Sequence, residues 1–359
     1  MKICATLITG NASDIIGEAI ESALPLVDLF LLIDTGIDDD TIDKAAGLVG
    51  DRLHVRQFSW CNHFAAVRNY ALYQATTLGA DVAVTLDSDE RFVCHHATIR
   101  SRLESELVSY PNTVVWMMAS ACGTYSKERF FRLPISQRMF WKGQTHECFV
   151  GYNTSEVRHL ESGLFTELPK TPEQLQHKYH RDLKILMETC TTDPNDERWW
   201  YYLGQTHNAL GNTEAAVQAY RTAMEISNGS RPQRTCAAYC AATISFGQAN
   251  YESALDFCCR GLALDSNWPE MFWLAGLSCY HLKRYDEAIA RCEASIALGH
   301  FQGSQRGKDR LLFRYLPGWY ESPFELLRFV YRALGEHHKA ELAEEQYLLA
   351  KSAREQLKA

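Results

Sequence analysis

Asp81-Val82-Ala83-Val84-Thr85-Leu86-Asp87-Ser88-Asp89-Glu90 is the stretch on which the fold turns. Its apolar run, Val82 to Leu86, is short, rich in β-branched residues and ends abruptly in acids. That texture predicts a strand buried on both faces, as in a parallel sheet. Working outward, the same texture recurs at 2–8 (KICATLI), 28–34 (DLFLLID) and 53–58 (LHVRQF), with the deciding strand spanning 81–87. Amphipathic segments at 14–24, 38–49 and 63–78 separate these runs and predict helices. Strands alternating with helices imply βαβ units and a mainly parallel sheet. Two strands end in aspartate, Asp34 and Asp87. Ligands of open α/β sheets lie beyond the carboxyl ends of the strands, so both carboxylates are expected at one crevice.

From about residue 171 the strand signals stop and helical periodicity runs onward. Two domains are expected, 1–170 and 171–359, as the 359-residue length also suggests. Trp200, Leu203, Gly204, Gly211, Ala216, Tyr220 and Ala223 have the spacing of a tetratricopeptide unit. The place of Ala216 recurs at Ala254, Ala288 and Ala340, at separations of 38, 34 and 52 residues, the last accommodating an insertion around 301–319. Small residues recur where paired helices cross closely, and Gly211 and Gly335 fall where the inter-helix turn needs positive φ. Most residues of this half read as scaffold core, and stacked helix pairs also form a concave face for a peptide or protein partner.

The composition, 46% hydrophobic and 22% charged, is that of a globular protein. A formal charge of −8 argues against non-specific nucleic-acid binding. The N-terminal MKICATLITGNASD reads as a strand rather than a signal peptide, and no stretch reaches the roughly 18 apolar residues of a transmembrane helix. Twelve cysteines are scattered without a CxxC pair, which predicts reduced, mostly buried thiols and a cytoplasmic location.

Four motifs carry candidate chemistry. Asp87 and Asp89, one residue apart after a strand, suit a hard cation, Mn²⁺ or Mg²⁺, that neutralises a diphosphate leaving group; the bland alternative is a solvated loop. In Asp34-Thr35-Gly36-Ile37-Asp38-Asp39-Asp40-Thr41, the acids either cap the next helix or, at Asp34 and Asp39, accept hydrogen bonds from a nucleoside base or ribose. Arg68 and Asn69 interrupt an apolar helix, so Arg68 either pairs with Asp34 or Asp87 or contacts a base or phosphate. In Gly143-Gln144-Thr145-His146-Glu147, Glu147 fits a general base for an acceptor hydroxyl or thiol, and His146 a metal or phosphate ligand. His159, in RHLESG, either completes a metal sphere or is a satisfied strand-end histidine.

These motifs together resemble the family 2 glycosyltransferases of the A fold, in particular the bacterial branch with C-terminal tetratricopeptide repeats that acts on peptides and glycans. That branch reads DTGSTDGT, FSAARNFAL, LDADE, GxxHE and a histidine before a glycine. Here the counterparts are DTGIDDDT, FAAVRNYAL, LDSDE, GQTHE and HLESG, in the same order across residues 3–163. The resemblance implies an α/β glycosyltransferase A domain, a Rossmann-like mixed sheet, followed by an all-α repeat domain. It implies Asp34 and Arg68 near the base, and Asp87 and Asp89 at the ribose, diphosphate and metal, with Asp89 the direct metal ligand. His159 becomes a further metal ligand and Glu147 the base of an inverting reaction. The branch's KNEE loop is Gly10-Asn11-Ala12-Ser13 here, which keeps only Asn11 for the donor, and His63 stands where the branch carries an aspartate. The first of these departures bears on donor selectivity.

The expected function is metal-dependent, inverting transfer of a hexosyl-type sugar from a nucleotide diphosphate sugar, with a UDP-sugar as the first expectation. A protein, peptide or glycan acceptor would engage the repeats, which also offer a surface for a homodimer. The alternatives are another nucleotide-dependent transferase on the same fold, or a repeat-based adaptor with an inactive catalytic domain. A nucleic-acid acceptor gains no support from the charge.

Overall fold

A computed structural model describes residues 1–94, 96–122, 125–299 and 315–356. The chain divides into two compact units, Met1–Gln174 and Leu175–Ala359.

In the first unit the order is β1 (Ile3–Thr9), α1 (Ile16–Ala23), β2 (Leu29–Asp34), α2 (Thr41–Val49), β3 (Leu53–Gln57), α3 (Phe64–Thr77) and β4 (Val82–Thr85). There follow β5 (Glu90–Cys94), α4 (His96–Ser109), β6 (Val115–Ser120), β7 (Ser126–Arg132), β8 (Phe140–Lys142), β9 (Cys148–Val150) and β10 (Val157–Glu167). Eight strands form one mixed sheet, ordered β3-β2-β1-β4-β7-β6-β10-β5, and β8 and β9 form a separate hairpin. β1 to β4 run parallel, whereas β7 is antiparallel to β4 and β6, and β5 is antiparallel to β10.

Near-continuous apolar strands result because both sheet faces are covered. Ile3, Ala5, Leu7, Phe30, Leu32, Val82 and Val84 join one buried cluster with α1 and α4 residues. Their alternating neighbours Cys4, Leu31, Ile33 and Ala83 join a second with Ala65, Val67, Ala71 and Ala75 of α3. Period-two alternation on strands sandwiched between layers produces this division.

One expectation is corrected here. The deciding strand stops at Thr85, so Asp87 lies two residues past it rather than at its end. No helix follows; the chain turns directly into β5, which pairs antiparallel with the far half of β10. The turn is closed by the Glu90 N–H donating to the Asp87 carbonyl at 3.0 Å.

The second unit is helical. α5 (Pro172–Thr192) leads in, and four antiparallel pairs follow: α6 (Glu197–Ala209) with α7 (Thr213–Glu225), α8 (Arg231–Gly247) with α9 (Tyr251–Leu264), α10 (Pro269–His281) with α11 (Tyr285–Leu298), and α12 (Ser322–Ala333) with α13 (His337–Gln356). Ala216, Ala254, Ala288 and Ala340 are all buried, one on the second helix of each pair. The turn residue five positions earlier has positive φ every time: Gly211 78°, Ala249 58°, Lys283 60° and Gly335 77°. Most of the insertion expected at 301–319 lies outside the described residues; Leu316–Trp319 forms a 3₁₀ turn.

The cysteines whose side chains are described are free, and five of them, Cys4, Cys190, Cys258, Cys279 and Cys292, are buried. Cys61 and Cys122 are exposed, so burial of the thiols is less general than expected. Among the described residues no helix is long and apolar enough to cross a membrane.

Candidate functional site

The carboxyl ends of β1, β2 and β4 form one edge, and the candidate residues come to it from four segments. α3 supplies the first. Its opening N–H groups need acceptors from outside the helix. The His63 ring nitrogen Nδ1 accepts from Ala66 at 3.1 Å, and the loop between β8 and β9 supplies the rest. Phe64 N–H donates to the Gln144 carbonyl at 2.8 Å and Ala65 N–H to the Gly143 carbonyl at 3.2 Å. One turn further on, Asn69 clamps β8 with both ends of its amide, donating to the Trp141 carbonyl at 2.9 Å and accepting its N–H at 2.8 Å. That satisfies the polar Asn69 and fixes the hairpin on the helix.

The same anchoring places Glu147 against Arg68. Arg68 Nε donates to Glu147 Oε1 at 2.5 Å, while Nη2 reaches both Asp87 oxygens at 3.2 Å. The guanidinium also lies 5.2 Å from the Trp141 ring centroid. Of the two ion pairs open to Arg68 from sequence, Asp87 is therefore the one made, with Glu147 as an unforeseen second partner. Burial pushes the Asp87 carboxyl up, but Arg68, then Arg129 and Lys127, hold it well below the usual carboxylate range. Oε2 of Glu147 accepts no hydrogen bond among the described residues.

Asp89 sits on the far limb of the turn. Its carbonyl takes the Leu168 N–H at 2.8 Å and its carboxylate pairs with Lys170. Asp34, ending β2, accepts the Gly36 and Ile37 N–H groups at 2.8 and 2.7 Å, both on Oδ1. β2 and β4 flank β1, so Asp34 and the Asp87 turn share an edge roughly 10 Å apart across the strands.

The remaining donor-side candidates are committed to loop architecture. Asn11 pairs reciprocally with Asp38, accepting its N–H at 2.9 Å. Asp39 accepts Thr41 N–H at 3.0 Å and Thr41 Oγ1 at 2.5 Å, and the Ser13 N–H at 3.2 Å. The Thr41 hydroxyl, backbone and Ser13 contacts lower the Asp39 carboxyl to about 2. Asp39 thus takes the Thr41 N–H from one residue before the N-cap, Asp40, which makes no side-chain cap bond, and Asn11 links the same two loops.

The histidines do not join the acids. His146 has φ 49° in the β8–β9 loop. His159 is exposed on the first half of β10 opposite Met117, across the Leu160/Leu164 irregularity from the Glu90–Glu167 pairing. Among the described residues no three of His, Cys, Asp and Glu group as a metal site, so Asp87, Asp89, His146 and His159 are not one cluster.

Sequence reasoning passed over the residues that hold the turn. Glu90, 1% exposed, pairs with Arg129, 2% exposed, and with Lys127 at 3.0 Å. β7 reads Ser-Lys-Glu-Arg-Phe-Phe-Arg, so one more charged residue in it carried no signal of its own.

A tetratricopeptide-repeat family model matches residues 198–229, which span α6 and α7. None of the curated proteins matches the chain. Solved structures similar to it include a crystal structure of MamA, at 15% identity over 53% of this chain and 99% of that one, with a TM-score of 0.39. Another, MamA 41-end from Desulfovibrio magneticus RS-1, is 15% identical over 50% of this chain and 89% of that one, with a TM-score of 0.39. 

Proposed function

We propose that the first unit is a glycosyltransferase of the A fold, transferring a sugar with inversion from a nucleotide diphosphate sugar, a UDP-sugar first, to a protein, peptide or glycan acceptor. The observation that carries this is the Arg68 bridge, which joins Glu147 to Asp87 at the strand edge although the three come from separate segments of chain. Such a pairing of a carboxylate base with a phosphate-side acid is what direct displacement at an anomeric carbon needs.

The donor set fits a Mg²⁺- or Mn²⁺-type ion held by one or two carboxylates and substrate phosphates, not an all-protein cage. Asp89 would be its main ligand, with Asp87 beside it, while His146 and His159 supply no third ligand. Bound there, the ion would neutralise the charge developing on the departing diphosphate. Lys170 occupies the Asp89 carboxylate and would be displaced toward the phosphates. Asp34 Oδ1 is used by its turn, which leaves Oδ2 for the base. Glu147 Oε2 takes the acceptor proton, from a hydroxyl or a thiol, while Arg68 fixes Oε1 and hence the direction of the second oxygen.

Release of nucleoside diphosphate from a panel of nucleotide sugars with Mn²⁺ tests this. Asp89→Ala lowers turnover by about 10²–10³-fold, the loss typical for removing one charge-stabilising group. Glu147→Gln lowers it by about 10²–10⁴-fold. Equal turnover in wild type and Asp89→Ala ends the metal assignment.

The repeat match at 198–229 favours a second reading, a protein-binding adaptor whose sheet unit is inactive. Calorimetry in which no nucleotide binds wild-type protein selects it.

A further inference from the structure

Arg129 occupies a place where a strand residue has no partner. β7 pairs Phe130 with Trp116 and Glu128 with Met117, so Arg129 is the extra residue of a bulge. A bulge re-aims a side chain. Here it brings the guanidinium to the face of Phe130 and Phe165, 4.2 Å from the Phe165 ring centroid. From there Nη1 donates to the Thr85 carbonyl at 3.3 Å, the last residue of β4, and Nη2 pairs with Glu90 Oε1, the first residue of β5. Glu90 Oε2 in turn accepts the Asp87 N–H at 3.0 Å. One arginine thus grips both ends of the acidic turn, and one glutamate grips its middle. Lys127 adds a second cation on Glu90 Oε1 at 3.0 Å and joins Glu167.

The pair is a poor device for stability alone. Buried ion pairs are often matched or exceeded by apolar replacements, and Arg129 Nε is buried with no hydrogen-bond partner. A turn carrying Asp87 and Asp89, by contrast, must hold two like charges at one spacing before any ligand arrives.

We infer that the buried Glu90–Arg129 pair is a positioning device that sets the Leu86–Glu90 turn, and through it the affinity for a nucleoside diphosphate with a divalent cation. This rests on the transferase reading, and the experiment separates the two. Glu90→Gln replaces one of the two acceptor oxygens with an NH₂ donor, so either Arg129 or the Asp87 N–H loses the oxygen it now uses. The double variant Glu90→Leu/Arg129→Met removes the charges together. Each is compared with wild type by thermal melting, by amide hydrogen exchange of residues 86–90 and of β1, and by calorimetry with UDP or GDP plus Mn²⁺.

The expected result is faster exchange at 86–90 with β1 protected as in wild type, and about 10- to 100-fold weaker nucleotide binding, the usual loss when an outer-shell partner goes. The double variant melts near wild type yet binds as weakly. Wild-type exchange at 86–90 together with wild-type affinity in either folded variant overturns the inference. Failure of both variants to fold also overturns it, because the pair is then a folding element. Wild-type protein that binds neither nucleotide sinks the transferase reading, while the exchange comparison still decides whether the pair sets the turn.

Discussion

The turn after β4 and the turns between paired helices both hold unfavourable residues, but the two regions tolerate change differently. In the sheet unit the cost lies in side chains: Glu90 and Arg129 are fully buried charges and Arg68 carries two carboxylates. In the helical unit it lies in the backbone, with positive φ at Gly211, Ala249, Lys283 and Gly335. Four repeats meet one backbone demand with three residue types, whereas the acidic turn is served by one specific network. Where only a backbone angle is needed, identity is loose; where an atom must be placed, it is not.

The contrast breaks most visibly at Arg68. Arg68→Met leaves Glu147 and Asp87, at 13% and 29% side-chain exposure, without their cation. Stranding a largely buried charge costs about 3 kcal/mol, a fall in melting temperature of about 10 °C for a unit of this size. The pH dependence tests whether a carboxylate partner is responsible. Asp87's folded pKa is depressed, so its contribution is complete above the unfolded carboxylate pKa of about 3.9 and is lost as pH falls below it. The gap between wild type and Arg68→Met therefore narrows as pH drops from about 5 to about 3. Melting curves showing a constant gap over that range would assign the effect elsewhere.

The strands near the N-terminus and the repeat phase were legible because both are periodic. Alternation in β1, β2 and β4 names the two core faces, and the recurrence of Ala216, Ala254, Ala288 and Ala340 names the second helix of each pair. Asp34 was legible as a strand-end acid, whereas Asp87 falls two residues past its strand. The grip on the turn was not, because a bulge interrupts the periodicity. Strict alternation puts Arg129 on the face of Phe131, while the extra residue resets it to that of Phe130. The contacts of Asn11 and Asp39 between their two loops were not legible for a related reason. Two loops distant in sequence satisfy each other's backbone, and spacing within either loop carries no trace of that.

Helix crossings inside the repeats give a second, smaller test. A Cβ added at Gly204 would stand 2.7 Å from two Tyr220 ring carbons, and Tyr220 is 1% exposed with nowhere to move. Gly204→Ala then costs about 1–3 kcal/mol by overpacking, read from the urea midpoint. At Gly276 the nearest atoms, Ala288 O and Arg291 Cβ, are both 3.2 Å away, so Gly276→Ala costs less. The reverse order would show that the crossing at α6 and α7 gives way more easily than its buried tyrosine implies.

The smallest effects belong to the turns, and they run in both directions. An L-residue in the left-handed region is strained by roughly 1–2 kcal/mol, part of which glycine's greater unfolded freedom offsets. Ala249→Gly and Lys283→Gly therefore each stabilise by about 0.5–1 kcal/mol, and Gly211→Ala destabilises by about 1 kcal/mol. Neither substituted side chain makes a hydrogen bond or ion pair among the described residues, so the backbone alone sets the sign. Denaturation midpoints of the three variants check it. A loss on Lys283→Gly would mean that the lysine's stem, rather than its φ, is what the turn between α10 and α11 uses, and the repeats would then share the side-chain specificity of the acidic turn.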